Sequence, residues 1–309
     1  MGRARVDIAV VGSVNVDLVA SVARLPLPGE TVAARGFAQF VGGKGGNQAV
    51  AAARLGRHVA LVGLTGDDAE GGVVRAALAA EGVDVAHLGV APTTATGRAI
   101  VVVAEDAANH IVVVGGANAA LAEEHLADAA DVLGTARVVV VQLEVPLGTV
   151  LAAARRATGT LVLNPAPARA LPRELLGRVD VLVVNEVEHE AVLGRPVPAD
   201  LRDVAAHVAA AGLTCTVVVT LGARGAVLCG RDGVVVEAPP DVAVLDTTGA
   251  GDTFIGALAD ALSRGEDPRD ALRWAVHAAS LSVGALGATT AMPTAAQVAA
   301  SVAGAPGAP

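Results

Sequence analysis

Short apolar runs rich in β-branched residues recur along the chain: VDIAVVG, HVALVGL, RVVVVQLE, TLVLNP, DVLVVNE and CTVVVTLG, separated by Ala- and Leu-rich stretches of helical character. These runs are apolar at successive positions instead of alternating with polar ones. Strands of that kind lie inside a parallel sheet with both faces covered, so the pattern predicts an α/β fold with helices packed on a mainly parallel central sheet. Most of the runs end in Gly, Asn, Glu or Thr, and ligands of open parallel sheets gather at those carboxyl ends.

Two stretches depart from the pattern. Residues 16–40, with TVAARGFAQFV at their end, and 96–115, within TGRAIVVVAEDAANHIVVVGG, read as strands of a small antiparallel flap or lid, the second pair turning between Glu105 and Asn109. The expectation is one domain over 1–309 with this lid inserted into it. The tail from Ala303, AGAPGAP, reads as a frayed end.

Composition narrows the function. Net charge is −9, from 22 basic and 31 acidic residues, and the basic ones are scattered arginines, so no nucleic-acid footprint is visible. No apolar segment approaches the roughly 20 residues of a membrane span. The run from Val6 to Val11 follows Arg3 and Arg5 but is too short for a signal peptide, and reads as a strand. Two distant cysteines, Cys215 and Cys229, make neither a disulfide framework nor a metal knuckle and suit a reducing cytoplasm. The seven histidines show no zinc-binding spacing.

The first segment with chemical content is VGGKGGNQAVAAARLG, residues 41–56, in which glycines flank Lys44 and a helix is expected to begin near Asn47. Glycine permits close backbone approach to a ligand, and a helix start offers unpaired N–H groups. It is not a Walker A loop, which would need Gly at Ala38 and Ser or Thr at Gly45. Lys44 is the only lysine of the chain, which sets it apart from solvent-facing decoration; the alternative is a mobile flap with an exposed amine.

The second is VLDTTGAGDTFIGALADAL, residues 244–262, read as a strand end passing through Gly249, Ala250 and Gly251 into a helix. Amides at such a helix start form an anion hole. Asp252, in the first turn, is either a cap or a general base that takes a hydroxyl proton while the amides hold a phosphoryl group.

Asn15 and Asp17 follow the first strand and Glu144 closes RVVVVQLE; each alone is compatible with a turn residue, but with Lys44, Asn47 and Asp252 they form a donor and acceptor set suited to a polyol. TLGARGAV at 220–227 is a Gly-rich turn after a strand, NEVE at 185–188 lies at another strand end, and EHE at 188–190 reads as a solvated helix face.

In their order and spacing these segments resemble the ribokinase branch of the PfkB carbohydrate kinases, from about Asp7 to Pro293. GGKGGNQAVAAARLG and DTTGAGDTFIGAL carry most of the likeness, and LNPAPARALP and VVNEVE add to it. The resemblance implies a three-layer sandwich with a small β lid and transfer of the γ-phosphate of ATP to the 5-hydroxyl of D-ribose. It places the sugar among Asn15, Asp17, Gly43, Lys44, Gly45, Gly46, Asn47, Glu144 and Asp252, with Asp252 as base and Gly249, Ala250 and Gly251 on the phosphoryl group. It places the nucleotide along Asn185, Glu188, Thr220, Leu221, Gly222, Ala223, Arg224, Gly225, Gly251 and Val276. Mg²⁺ would arrive with ATP. An activating K⁺ would sit near Asp246, Thr248, Ser282, Ala285, Gly287 and Ala291. Separately, the two lid segments leave unpaired strand edges and an apolar face that a second copy can cover, so a homodimer joined through the lids is expected.

Two departures stand out: Val276 aligns where some members carry a histidine against adenine, with His277 one position later, and the usual KGA reads LGA at 286–288. The rivals are another kinase of this fold, acting on a nucleoside or a sugar phosphate, and a non-catalytic sugar sensor. Few aromatics to stack a base, a lone lysine for a second phosphate, and an intact GAGD count against them in turn.

Overall fold

The computed structural model describes residues 5–106 and 108–304. The last five residues of the expected frayed tail, and Ala107 of the lid turn, lie outside the described residues.

The main sheet has nine strands in the order β13-β12-β11-β10-β9-β8-β1-β4-β5. These are β1 (Ile8–Val11), β4 (Val59–Gly66), β5 (Leu88–Ala91), β8 (Val138–Val141), β9 (Thr160–Leu163), β10 (Val181–Val184), β11 (Thr216–Thr220), β12 (Ala226–Gly230) and β13 (Gly233–Glu237). All six apolar runs supply parallel strands, and β5 extends them; β12 and β13 close one edge antiparallel. The ten α-helices are α1 (Lys44–Arg54), α2 (Ala69–Ala80), α3 (Ala130–Thr135), α4 (Leu147–Arg156), α5 (Arg173–Leu176), α6 (Glu186–Leu193), α7 (Val204–Ala210), α8 (Ala250–Arg264), α9 (Pro268–Ser282) and α10 (Ala295–Ala303) among the described residues.

Period-2 alternation along the buried strands sorts the side chains into two cores. Ile8, Val10, Leu61, Val138 and Val140 face α1, α2, α8, α9 and α10, whereas Ala9, Val11, Val62, Val139 and Val141 face α3 to α7. The sheet is therefore the middle of three layers, as the resemblance implies. Almost no aromatic side chain takes part, and Ala, Val and Leu fill both cores.

A second sheet, in the order β3-β2-β6-β7, holds β2 (Asn15–Val22), β3 (Gly36–Gly42), β6 (Gly97–Ala104) and β7 (Asn109–Val114). It is not wholly antiparallel as expected. The outer pairs are antiparallel hairpins, but β2 and β6 run parallel, because both leave the main sheet in the same direction from the ends of the β1 and β5 regions.

Strand β1 has β4 on one side and β8 on the other, so the chain switches direction around it. The crevice at the carboxyl ends of such neighbours is where this architecture leaves room for a ligand. Residues 12–15 after β1 and 142–144 after β8 border it.

Candidate active site

Helix α1 opens at Lys44, three residues earlier than the expected start near Asn47. Its first turn is glycine-rich because it lies on the backbone after β1: Gly46 N donates to Ser13 O (2.9 Å), and a Cβ on Gly45 would stand 2.7 Å from Ser13 O. Gly43 caps it at φ 87°, which favours glycine. Helix α8 crosses α1 just as closely. A Cβ on Gly256 would fall 2.7 Å from Gln48 O, so the glycine permits the approach that brings the starts of the two helices together.

That approach delivers Asp252 to α1. Asn47 Nδ2 donates to Asp252 Oδ2 (2.9 Å) and Gln48 Nε2 to Oδ1 (3.0 Å). Burial pushes the Asp252 carboxyl above its ordinary range, opposed by the Lys44 ammonium and these two amides. Burial pulls the Lys44 ammonium down, but Asp252, Glu144 and Glu188 outweigh it and hold it above its ordinary value. Lys44 is thus a partly buried cation among carboxylates, not a flap residue in solvent.

Around this pair the crevice gathers the other polar residues. Glu144 Oε2 accepts from Ser13 Oγ (2.5 Å) and from the Lys44 amide (3.1 Å). Asn15 Oδ1 accepts from Asn118 Nδ2 (2.8 Å). Asp17 packs on Gly42, where a Cβ would collide with its carboxylate, and its Oδ1 is buried without a partner, as is Asn47 Oδ1. Burial first, and then Glu144 and Asp252, push the Asp17 carboxyl up to about 6.

On the far side of Asp252, a small cavity bordered by Lys44, Glu188, Thr220 and Gly251 leads away from the crevice. Asn185 and Glu188 form a capping box at α6, with Glu188 N donating to Asn185 Oδ1 (2.8 Å) and Asn185 N to Glu188 Oε2 (3.0 Å). Glu188 also accepts from Asn164 (3.3 Å), and burial pushes its carboxyl up. EHE is consequently not a solvated face. Glu188 and His189 are buried and only Glu190 is exposed, because α6 turns that side onto the sheet.

Beyond this cavity lies an apolar groove of about 650 Å³. Thr220, Gly222, Ala223, Gly225, Gly251 and Val276 line it, with Pro239, Val242 and Val244 opposite. Residues 238–249 contain no strand, contrary to the expected strand end before Gly249; the segment with Pro239 and Pro240 forms the groove wall instead. Leu221 turns into the core, and Arg224 pairs with Glu186 (2.6 Å). His277 is directed away from the groove, its Nδ1 2.8 Å from Ser301 Oγ.

At the mouth of α8, Gly249 is left-handed (φ 76°) and abuts Ala288. The Ala250 amide is engaged by Thr247 O (3.2 Å), so the first amides the helix itself leaves over are those of Gly251 and Asp252. Beside them Asp246 ties two segments together. Its Oδ1 accepts from Thr248 N and Oγ1 (2.9 and 2.7 Å) and its Oδ2 from Gly287 N (2.8 Å), which holds the carboxyl below its ordinary range against burial. The Ser282 hydroxyl donates to Ala279 O (2.8 Å), leaving a carbonyl as its free group, and Ala285 is exposed.

The family model for pfkB family carbohydrate kinases matches residues 6–295. The chain belongs to this family. Among relatives, a ribokinase of Bacillus subtilis is 39% identical over 292 residues, covering 93% of this chain and 96% of that protein. A deoxyribokinase of Salmonella typhi is 36% identical over 294 residues, with 93% and 96% covered. The solved structure of Arabidopsis thaliana ribokinase complexed with ribose and ATP superposes with a TM-score of 0.90 at 32% identity, covering 97% of this chain and 99% of that one.

In this pfkB kinase, four buried polar residues absent from the expected site support it from behind: Ser13, Gln48, Asn118 and Gln142. Gln48 stands inside GGKGGNQ and Gln142 inside VVVVQLE, two positions from Glu144. For Gln48 and Gln142 the signal is an amide side chain beside an apolar stretch, whereas Ser13 and Asn118 carry none.

Proposed function

We propose that this chain transfers the γ-phosphoryl group of ATP to the 5-hydroxyl of D-ribose, with Asp252 as general base. The observation that carries the reading is the hydrogen-bonded Asp252 at the α8 N-terminus, with a polyol-suited crevice on one side and an apolar groove on the other. The sugar lies among Asn15, Asp17, Gly43, Lys44, Asn47 and Glu144. Unpartnered Asp17 Oδ1 and Asn47 Oδ1 fit hydroxyl donors, since buried acceptors seek them. Asp252 takes the 5-hydroxyl proton as that oxygen bonds to the γ-phosphorus and the bond to the β,γ-bridging oxygen breaks, releasing ADP. The Gly251 amide and the helix dipole stabilise charge on the transferring group.

Adenine occupies the groove against Val276, with the phosphates passing Thr220, Gly222, Gly225 and Gly251. Both Glu188 oxygens are already held by Asn185 and Asn164, which suits a role through water toward Mg²⁺ and not direct ligation. Mg²⁺ bound with ATP neutralises phosphate charge. The corner where the Asp246 carboxylate accepts from Gly287 N, beside the start of α8, is the place for a monovalent cation such as K⁺. The enzyme works in the cytoplasm as a homodimer joined through its lids. A coupled ATP-dependent assay over a panel of pentoses, nucleosides and sugar phosphates tests the activity, and no turnover of any pentose would overturn it. The alternative favoured by a specific observation is 2-deoxyribose as the better substrate, because a deoxyribokinase is nearly as similar as the ribokinase.

A further inference from the structure

Behind the carboxylate of Asp252 runs a short chain of buried amides that borders neither the small cavity nor the groove. Gln142 Nε2 donates to Gln48 Oε1 (2.6 Å), and Gln48 Nε2 donates to Asp252 Oδ1 (3.0 Å). Gln48 is 1% exposed and Gln142 fully buried. The direction of the chain follows from charge. An ionised Asp252 needs a donor, so the Gln48 nitrogen faces it; the Gln48 oxygen then faces Gln142, which must present its own nitrogen. The reverse arrangement sets an amide oxygen against a buried carboxylate, leaving both without a donor.

The far end of the chain is fixed by shape. Gln142 Oε1 is buried without a partner and lies against Gly12, where any Cβ would collide with it. Gly12 has no positive φ, so the glycine is there for this contact and for the close approach of α1. Strands β1 and β8 thus clamp Gln142, Gln142 locks the Gln48 amide, and Gln48 reaches Asp252.

We infer that Gln48 and Gln142 are positioning residues for phosphoryl transfer: they hold the Asp252 carboxylate in one orientation, as a proton acceptor, through a relay anchored on Gly12. The inference rests on reading Asp252 as the base. It assigns Gln48 a task distinct from that of Asn47, which reaches the other oxygen from the rim of the crevice. Removing a donor from a buried carboxylate favours its protonated form, so the acid limb of kcat should move to higher pH. The other charged groups that act on Asp252 are Lys44 on α1, Glu144 after β8, Glu188 on α6 and Asp17 on β2, and all are untouched by changes at 48 or 142.

The test uses Gln48→Met and Gln142→Met, which keep length and remove hydrogen bonding, together with the double variant. With Gln48→Met, kcat should fall roughly ten- to hundred-fold, the range for losing a hydrogen bond to a charged group. KM for ATP and sugar should change less than about two-fold, since neither is touched, and the acid limb of the pH profile should rise. Gln142→Met should shift both quantities in the same direction by less, and the double variant should resemble Gln48→Met alone, because the two residues act in series. Wild-type kcat and an unmoved acid limb in Gln48→Met overturn the inference, as does a loss confined to KM. If Gln48→Met does not fold, Gln142→Met and Gly12→Ala decide by the same two measurements. Asp252→Asn in the same assay separates the premises: if it stays active the base reading fails, and if it is inactive while both glutamine variants behave as wild type, the relay alone fails.

Discussion

Asn47 and Asp252, 205 positions apart, meet through a hydrogen bond of 2.9 Å from the Asn47 amide to Asp252 Oδ2. This bond joins the first turns of α1 and α8, and with it the two glycine-rich segments. A residue that only capped α8 would accept from its own helix amides. Asp252 instead accepts from Asn47 and Gln48, side chains of another helix, and borders the small cavity.

Asp252→Asn should therefore fold and bind ATP as the unaltered chain does while kcat falls at least about 10²-fold, the lower range for a positioned general base. Calorimetric titration with ATP and a coupled assay read the two halves separately. Turnover near the unaltered rate would reduce Asp252 to a helix terminus residue.

The corner around Asp246 gives an independent expectation. Asp246 bonds Thr248 and Gly287 on either side of the Gly249 turn, so whatever sits there bears directly on the start of α8. Activity should rise in K⁺ and not in Li⁺, and Asp246→Ala should lower the rate in K⁺ to that in Li⁺. Equal rates of the unaltered chain in K⁺, Na⁺ and Li⁺ would remove the cation from this corner.

Much of this was legible in the sequence because its cause is local. Runs such as VVVV at 138–141 have no polar face and fit only a covered sheet, and a lone lysine between glycines singles out the segment that meets Asp252. What was not legible depends on contacts between distant segments. The first turn of α1 reads as a loop because its glycines carry low helix propensity; only packing on Ser13 makes them helical. The parallel pairing of β2 with β6 arises from where their parent strands stand in the main sheet. The part played by Gln142 shows only with Gln48 and Gly12 beside it.

The lid carries a further expectation. Ile111, Val112 and Val113 on β7 are 56–60% exposed, and Phe37 on β3 is 65% exposed, so both hairpins present apolar side chains and edge strands to solvent. A second copy offers the same unpaired surface and so a means of covering it. Light scattering at micromolar concentration should give a dimer, and Val112→Lys should shift it to a monomer. A monomeric unaltered chain would contradict the lid as an interface.

Asp17 carries an expectation about substrate choice. Its carboxyl is pushed up to about 6 from an ordinary 3.8, by burial and then by Glu144 and Asp252. A carboxyl raised in the folded state favours folding while protonated, so its contribution is full below about 3.8, declines as pH rises, and is gone above about 6. At pH 7.5 the fold thus holds a partly buried charge at a cost, and Asp17→Asn should raise Tm there, with the gain vanishing below pH 4. The function that would justify that cost is acceptance of a hydroxyl, for which the unpartnered Oδ1 is placed. A site built to bond a hydroxyl discriminates strongly against the analogue lacking it, because its buried acceptor then goes unpaired. D-ribose should exceed 2-deoxyribose in kcat/KM, and Asp17→Asn should narrow the gap by lowering the value for ribose far more than for the deoxy sugar. The ribose advantage should also grow as pH climbs through about 6 in the unaltered chain and stay flat in the variant. If 2-deoxyribose gives the higher kcat/KM at pH 7.5, the chain is a kinase of the deoxy sugar, and the charge on Asp17 has some other use than the 2-hydroxyl.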